Sequence, residues 1–240
     1  MSLPTIATPT YELELLSLKK KIKYRPFLVK EEKLLVLALE SENNKQITTA
    51  ITTVLKNCIQ TRGVKVENLP TFDIEYLFMN IRAKSVGEVV EVNIIAPDDG
   101  VTDIPIKIDI DDVKVVIPEG HTNKIVLNDE LSMQMKYPSL NEFIKNNFDF
   151  NSEEVDIDKS FELIASCIET IYSEEKVWAT ADVSIKDVVE FLEQMNSVQF
   201  KEIEKFFETM PKLSHTLKVV NPKTEVESEV VLEGLNSFFE

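Results

Sequence analysis

Glu88-Val-Val-Glu-Val-Asn-Ile-Ile95, Ile104-Pro-Ile-Lys-Ile-Asp-Ile110 and Val113-Lys-Val-Val-Ile117 alternate polar and apolar side chains with a period of two. That period puts the apolar residues of each run on one face of an extended strand. Asn123-Lys-Ile-Val-Leu127 and Leu131-Ser-Met-Gln-Met-Lys-Tyr137 continue the pattern, and Pro97-Asp-Asp-Gly100 and Pro118-Glu-Gly120 supply turns between runs. From Gly87 to Pro138 the chain therefore predicts an antiparallel β-meander of four or five strands. The flanking segments mostly follow a period near 3.6, which makes the fold class α+β.

Upstream, Thr10-Tyr-Glu-Leu-Glu-Leu-Leu16 and Lys21-Ile-Lys-Tyr-Arg-Pro-Phe-Leu-Val29 surround a short polar turn and read as an N-terminal β-hairpin, its second strand ending near Pro26. Lys30 to Ser41 is built of strong helix formers and reads as a buried helix. Ile47, Ala50, Ile51, Val54, Leu55, Cys58 and Ile59 share one face of a second helix, about Lys45 to Gln60. Cys58 reads as a small core residue. Phe72 to Ala83 leaves few polar positions and must be largely enclosed.

Downstream, helices are expected over Leu140 to Phe148, Asp156 to Tyr172, Ile185 to Met195 and Val198 to Met210, with Ser184 and Ser197 as N-caps and Pro211 as a stop. Thr216-Leu-Lys-Val-Val220 and Glu225 to Leu232 form a closing hairpin around Asn221-Pro-Lys-Thr224. The corresponding divisions are 1–86, 87–138 and 139–240, three segments that could equally form one continuous globular unit.

Composition limits the chemistry. The five glycines among 240 residues lie far apart, so no loop can cradle a phosphate on clustered backbone N–H groups. Two cysteines and two histidines are equally scattered, which disfavours a zinc site, and no metal or other cofactor is expected. A net charge of −16 disfavours a nucleic-acid partner. The longest apolar run, Leu34 to Leu39, is far too short to span a bilayer, and the N-terminus does not read as a secretory signal. Asp109-Ile-Asp-Asp112 lacks the glycine and the oxygen ligand that a calcium loop needs at its sixth and fifth positions, where Lys114 and Val113 stand. Acid pairs such as Glu153-Glu154 and Glu174-Glu175 leave an acid-residue hydrolase as an outside reading, although they fit solvated faces better. His215 reads as a strand-end residue and His121 as exposed. No catalytic residue is assigned.

Charge is unevenly placed. Residues 1–40 hold 7 basic and 5 acidic residues, whereas residues 141–210 hold 6 and 17. The basic group, Lys19, Lys20, Lys21, Lys23 and Arg25 with Lys30 and Lys33 behind it, is either a lysine-protected edge or a docking surface for an acidic partner, including the acidic half of a second copy. Trp178 is a core residue or an interface anchor. Leu235, Phe238 and Phe239 in the C-terminal tail either fold back onto the chain or insert into a partner, with the second reading favoured.

Ile6-Ala-Thr-Pro-Thr-Tyr-Glu-Leu13, Lys20-Lys-Ile-Lys-Tyr-Arg-Pro-Phe-Leu-Val-Lys-Glu-Glu-Lys33 and Leu69-Pro-Thr-Phe-Asp-Ile-Glu-Tyr-Leu-Phe-Met-Asn-Ile-Arg-Ala-Lys84 resemble the baseplate hub subunits and hub-assembly proteins of T4-like contractile-tailed bacteriophages. Leu232-Glu-Gly-Leu-Asn-Ser-Phe-Phe239 is similar to the end of related tail proteins. The resemblance implies a structural or assembly role exerted through protein contacts, with other hub or tape-measure proteins as partners. It also implies residence in the host cytoplasm during assembly and in the tail baseplate if the chain is retained. A transient assembly chaperone, absent from the mature particle, is the alternative. Residues 214–233 contain no cysteine, so the resemblance brings no metal site.

Overall fold

A computed structural model describes residues 6–41, 43–140, 142 and 157–238. The chain divides into two compact units, one of Met1–Val116 with Lys212–Glu240 and one of Ile117–Pro211.

The first unit begins with the expected hairpin: β1 (Tyr11–Leu15) pairs antiparallel with β2 (Lys20–Tyr24), Leu15 opposite Lys20 and Tyr11 opposite Tyr24. Two helices follow, α1 (Val29–Glu40) and α2 (Asn44–Cys58), and α2 starts where the Asn43 side chain accepts from the Gln46 N–H. Its end is tied to the hairpin, because the Arg25 and Gln60 amides donate to the carbonyls of Cys58 and Lys23. Cys58 is fully buried, as its place on the apolar face requires. The enclosed helix α3 (Thr71–Val86) buries Phe72, Ile74, Leu77, Met79 and Ile81, and stops at Gly87, whose φ of 133° suits a residue without a Cβ.

β3 (Val89–Ile95) and β4 (Asp103–Asp109) form a hairpin, and β5 (Lys114–Val116) pairs with β10 (Lys212–Val220), which pairs in turn with β11 (Glu227–Glu233). Met79, Val90, Val92, Ile108, Leu213, Val219 and Phe238 meet in one core. The tips of the β3–β4 and β10–β11 hairpins are joined by the buried Asn221, whose amide donates to the carboxylates of Asp98 (3.0 Å) and Asp99 (3.1 Å). Thr224 Oγ1 adds a bond to Asp98 at 2.5 Å. Hydrogen bonds from Thr102 and the amides of Val101 and Thr102 hold the Asp99 carboxyl far below its ordinary value.

The second unit carries a four-stranded antiparallel sheet in the order β6 (Lys124–Val126), β7 (Ser132–Met135), β8 (Ile168–Tyr172), β9 (Val177–Ala179). Among the described residues it carries the helices α4 (Ile157–Ser166), α5 (Ile185–Glu193) and α6 (Ser197–Glu208). Met133, Cys167, Ile168, Val188, Leu192, Ile203 and Phe206 make its core.

The α+β class, the N-terminal hairpin and the antiparallel pairing match the sequence pattern. Several elements differ from it. The strands expected as one meander divide among three sheets, because β5 and β6–β7 find distant partners in β10 and β8. The expected helix from Asp156 to Tyr172 ends at Ser166, after which Ile168, Thr170, Ile171 and Tyr172, β-branched and aromatic, enter the sheet. Asn196 rather than Ser197 caps α6, its side chain accepting from the Val198 and Gln199 amides. α1 is not a buried helix: it buries Glu31 and Ala38 and leaves Val36, Leu37 and Leu39 open. The expected helix over Leu140 to Phe148 falls mostly outside the described residues.

Candidate functional site

The N-terminal hairpin concentrates the residues singled out by charge. Its turn is unusual for a surface loop in resting on a fully buried carboxylate. Asp73, in the first turn of α3, accepts from the amides of Leu16 and Ser17, each at 3.1 Å, and from the Ser17 hydroxyl. Burial raises its proton affinity, and the three donors oppose the rise. Lys19 completes the turn with a left-handed φ of 49°.

Lys19, Lys20, Lys21 and Lys23 are all exposed. The register divides them: Glu14 stands opposite Lys21 and Glu12 opposite Lys23, with the latter pair 3.8 Å apart. Lys20 faces Leu15, and Lys19 lies in the turn, so the unopposed charge is at the tip. Arg25 differs from the lysines. Its guanidinium turns inward to Glu31 (3.1 Å), the Pro26 carbonyl (2.8 Å) and Cys58 Sγ (3.8 Å), with little exposure left for a partner.

Glu31 also accepts from the Leu28 amide at 2.8 Å and lies 3.4 Å from Lys30. Burial alone would raise its carboxyl, but the hydrogen bonds from Arg25 and Leu28, with the charges of Arg25 and Lys30, hold it below its ordinary value. Neither Asp73 nor Glu31 stood out in the sequence. The available signals were an acid at the start of an otherwise apolar helix, and an acid at the third position of a helix that lacks a polar N-cap residue.

The other candidates lie elsewhere. Trp178, on the edge strand β9, is 36% exposed, with Lys176 Nζ 4.8 Å above its ring. Phe238 corrects the favoured reading of the tail: it is 1% exposed and packs into the first unit's core with Leu235 against it, because a large ring gains more from that apolar cavity than from water. Phe239 lies outside the described residues. His121 is half-buried rather than exposed. Its Nε2 is 2.9 Å from Tyr137 Oη, and its Nδ1 is 3.0 Å from Thr209 Oγ1, whose own proton goes to the Lys205 carbonyl. Burial lowers its proton affinity.

Nucleophilic chemistry finds poor material in the thiols, since burial pushes Cys58 up to about 11 and Cys167 up to about 12. Among the described residues no group of three or more His, Cys, Asp or Glu is placed to hold a metal ion, and no helix is long and apolar enough to cross a membrane. Glu75, on α3, is the carboxyl most changed by burial. It is pushed up to about 7, partly offset by the nearby Leu235 amide. It shares no hydrogen-bonding partner with the oppositely shifted Asp99.

The Glu75 shift sets a pH dependence. The unfolded carboxyl ionises from about pH 4.5, while the folded one keeps its proton to about pH 7, so stability falls as pH rises through that window. Glu75→Gln is expected to be more stable than wild type by about 3 kcal/mol at pH 8, with the difference vanishing below about pH 4.5. Urea titrations at several pH values measure this, and a constant difference at all pH values would contradict it.

The family model described as T4 bacteriophage base plate protein matches residues 8–240. No curated protein and no solved structure gave a match. With nearly the whole chain matched, from the strand before the anchored hairpin turn to the C-terminal tail, the chain belongs to the T4 bacteriophage base plate protein family.

Proposed function

We propose that the chain is a structural or assembly component of the baseplate hub, acts through protein–protein contacts, and uses the tip of its N-terminal hairpin to dock an acidic surface of another hub or tape-measure protein. Assembly would take place in the host cytoplasm. The observation that carries the docking reading is the turn itself: a buried carboxylate fixes its shape from inside, while Lys19 and Lys20 stand exposed and unopposed outside. A rigid charged protrusion loses little conformational freedom on binding. The N-terminal and Leu69–Lys84 strings support the hub as its location. Lys21, Lys23 and Trp178 remain candidate contacts of lower charge or greater cover, and Arg25 contributes by stabilising the hairpin base.

Mass spectrometry of purified particles tests the placement. Stoichiometric presence supports a hub subunit, whereas absence from mature particles with presence in baseplate precursors supports the transient chaperone. For the tip, the Lys19→Glu/Lys20→Glu variant should lose about tenfold in association with hub precursors at low ionic strength, lose less at high salt, and keep its melting temperature. Unchanged assembly at low salt would reduce the tip to a solvated turn.

A further inference from the structure

α1 presents a face to solvent that the fold does not use. Val29 is 79% exposed, Val36 48% and Leu37 53%, and the rotation of the helix is fixed by Glu31, which is buried beneath it on Arg25 and the Leu28 amide. Val29, Lys33, Val36, Leu37 and Glu40 follow one another at spacings of four, three, one and three, so they form a single stripe. Such a stripe normally packs against another helix. Leu37 also borders a groove of about 530 Å³ between α1 and α2, lined by Leu34, Ala38 and Ala50.

The charges on the stripe identify what fits it. Lys33 and Glu40 are exposed, and among the described residues neither forms an ion pair. They lie equally far on either side of the midpoint between Val36 and Leu37, about 5 Å of helix rise each way. A two-fold axis through that midpoint sets Lys33 of each copy against Glu40 of the other and brings the Val36 and Leu37 side chains of both copies together. A parallel arrangement would instead oppose Lys33 to Lys33. The stripe is therefore complementary to itself in the antiparallel sense, which is the requirement for an isologous interface. Charge on the surrounding unit opposes this weakly, since the first unit holds 18 basic and 22 acidic residues, a net −4 of the chain's −16.

We infer that α1 packs antiparallel against α1 of a second copy and makes the chain a two-fold homodimer. A single helix face buries a small area, so the dimer is of modest affinity, in the micromolar range.

Sedimentation velocity of the full chain from about 1 to 200 μM reads the result. Wild type should shift from monomer to dimer across that range. Leu37→Asp should raise the dissociation constant at least about tenfold while leaving the melting temperature of the dilute protein unchanged, because the side chain is half open. Lys33→Glu and Glu40→Lys should each weaken the dimer. The Lys33→Glu/Glu40→Lys double variant should return to within about threefold of wild type, and the two single variants mixed should prefer each other. A chain that stays monomeric at 200 μM overturns the inference, even if the stripe then proves to bind a different baseplate protein. So does a dimer indifferent to Leu37→Asp, or a double variant weaker than either single one.

Discussion

Glu31→Ala is expected to destabilise the protein by about 4 kcal/mol, the largest effect of any single substitution considered. The Glu31 side chain is 1% exposed and that of Arg25 14%, so the alanine variant leaves a cation in a poorly solvated place beside Cys58 with the Pro26 carbonyl as its remaining strong partner. Removing one member of a buried pair costs about 3–5 kcal/mol, because the charge left behind has lost its compensation. The first turn of α1 also loses the acceptor for the Leu28 amide. Glu31→Gln keeps the size and the cap acceptor and should cost about half as much. Replacing both Arg25 and Glu31 by methionine should recover most of the loss, since no charge then remains to be solvated. Urea unfolding of the full chain followed by circular dichroism measures all three. A Glu31→Ala cost below about 1 kcal/mol would mean that the pair is better hydrated than its burial indicates. The pH dependence has a definite sign: the folded carboxyl releases its proton more readily than the unfolded one, so this stabilisation is present above about pH 4.5 and is lost as pH falls further.

Asp73→Ala should cost about 3 kcal/mol and lower the melting temperature by about 6–12 °C. Three donors, the Leu16 and Ser17 amides and the Ser17 hydroxyl, converge on one fully buried carboxylate. Alanine orphans all three where little water can replace it, and hydrogen bonds to a charged acceptor contribute about 1.5–3 kcal/mol each before compensation. Asp73→Asn, which leaves one acceptor oxygen in place of two, should fall between the wild type and the alanine variant. Because the turn sets the position of Lys19 and Lys20, hydrogen exchange at Leu16 and Ser17 should rise in both variants together with the loss of stability. Exchange that stays slow after Asp73→Ala would show that β1–β2 pairing alone fixes the turn.

Local pattern was enough to read the class, the first hairpin, α2, α3 and the closing strands, since each declares itself by a period of 2 or 3.6 within a dozen residues. It failed where tertiary competition decided the outcome. Val113 to Ile117 looks like the third strand of a meander, but its partner is Lys212–Ser214. Ile168 to Tyr172 continues a helical period, yet its side chains prefer the sheet. Pro118 and Pro211 mark the two crossings between the units, although each reads locally as an ordinary turn or helix stop. The hairpin lysines were legible as a group, but their sorting into paired and unpaired members was not, because Glu12 and Glu14 become their neighbours only through the register. The placement of Phe238 was also hidden. Two adjacent phenylalanines near a terminus carry no local sign of which core could receive them.

The pairing of β5 with β10 has a consequence for the order of assembly along the folding path. Val116 sits opposite Lys212, with the 95 residues Ile117–Pro211 between them. If those residues were still a random coil, closing the loop would cost about 4 kcal/mol of chain entropy for a ladder of three residue pairs. Once the second unit has folded, its two ends are already held near one another, with the His121 ring 3.0 Å from Thr209. Most of that entropy has then been spent inside a unit whose own core repays it. On the ribosome the same order is imposed by synthesis, because β10 and β11 emerge only after the whole second unit has been made. The sheet that joins β5, β10 and β11 is therefore completed only when the inserted unit is in place, whereas the N-terminal hairpin and α1, built from residues before Val86, do not wait for it.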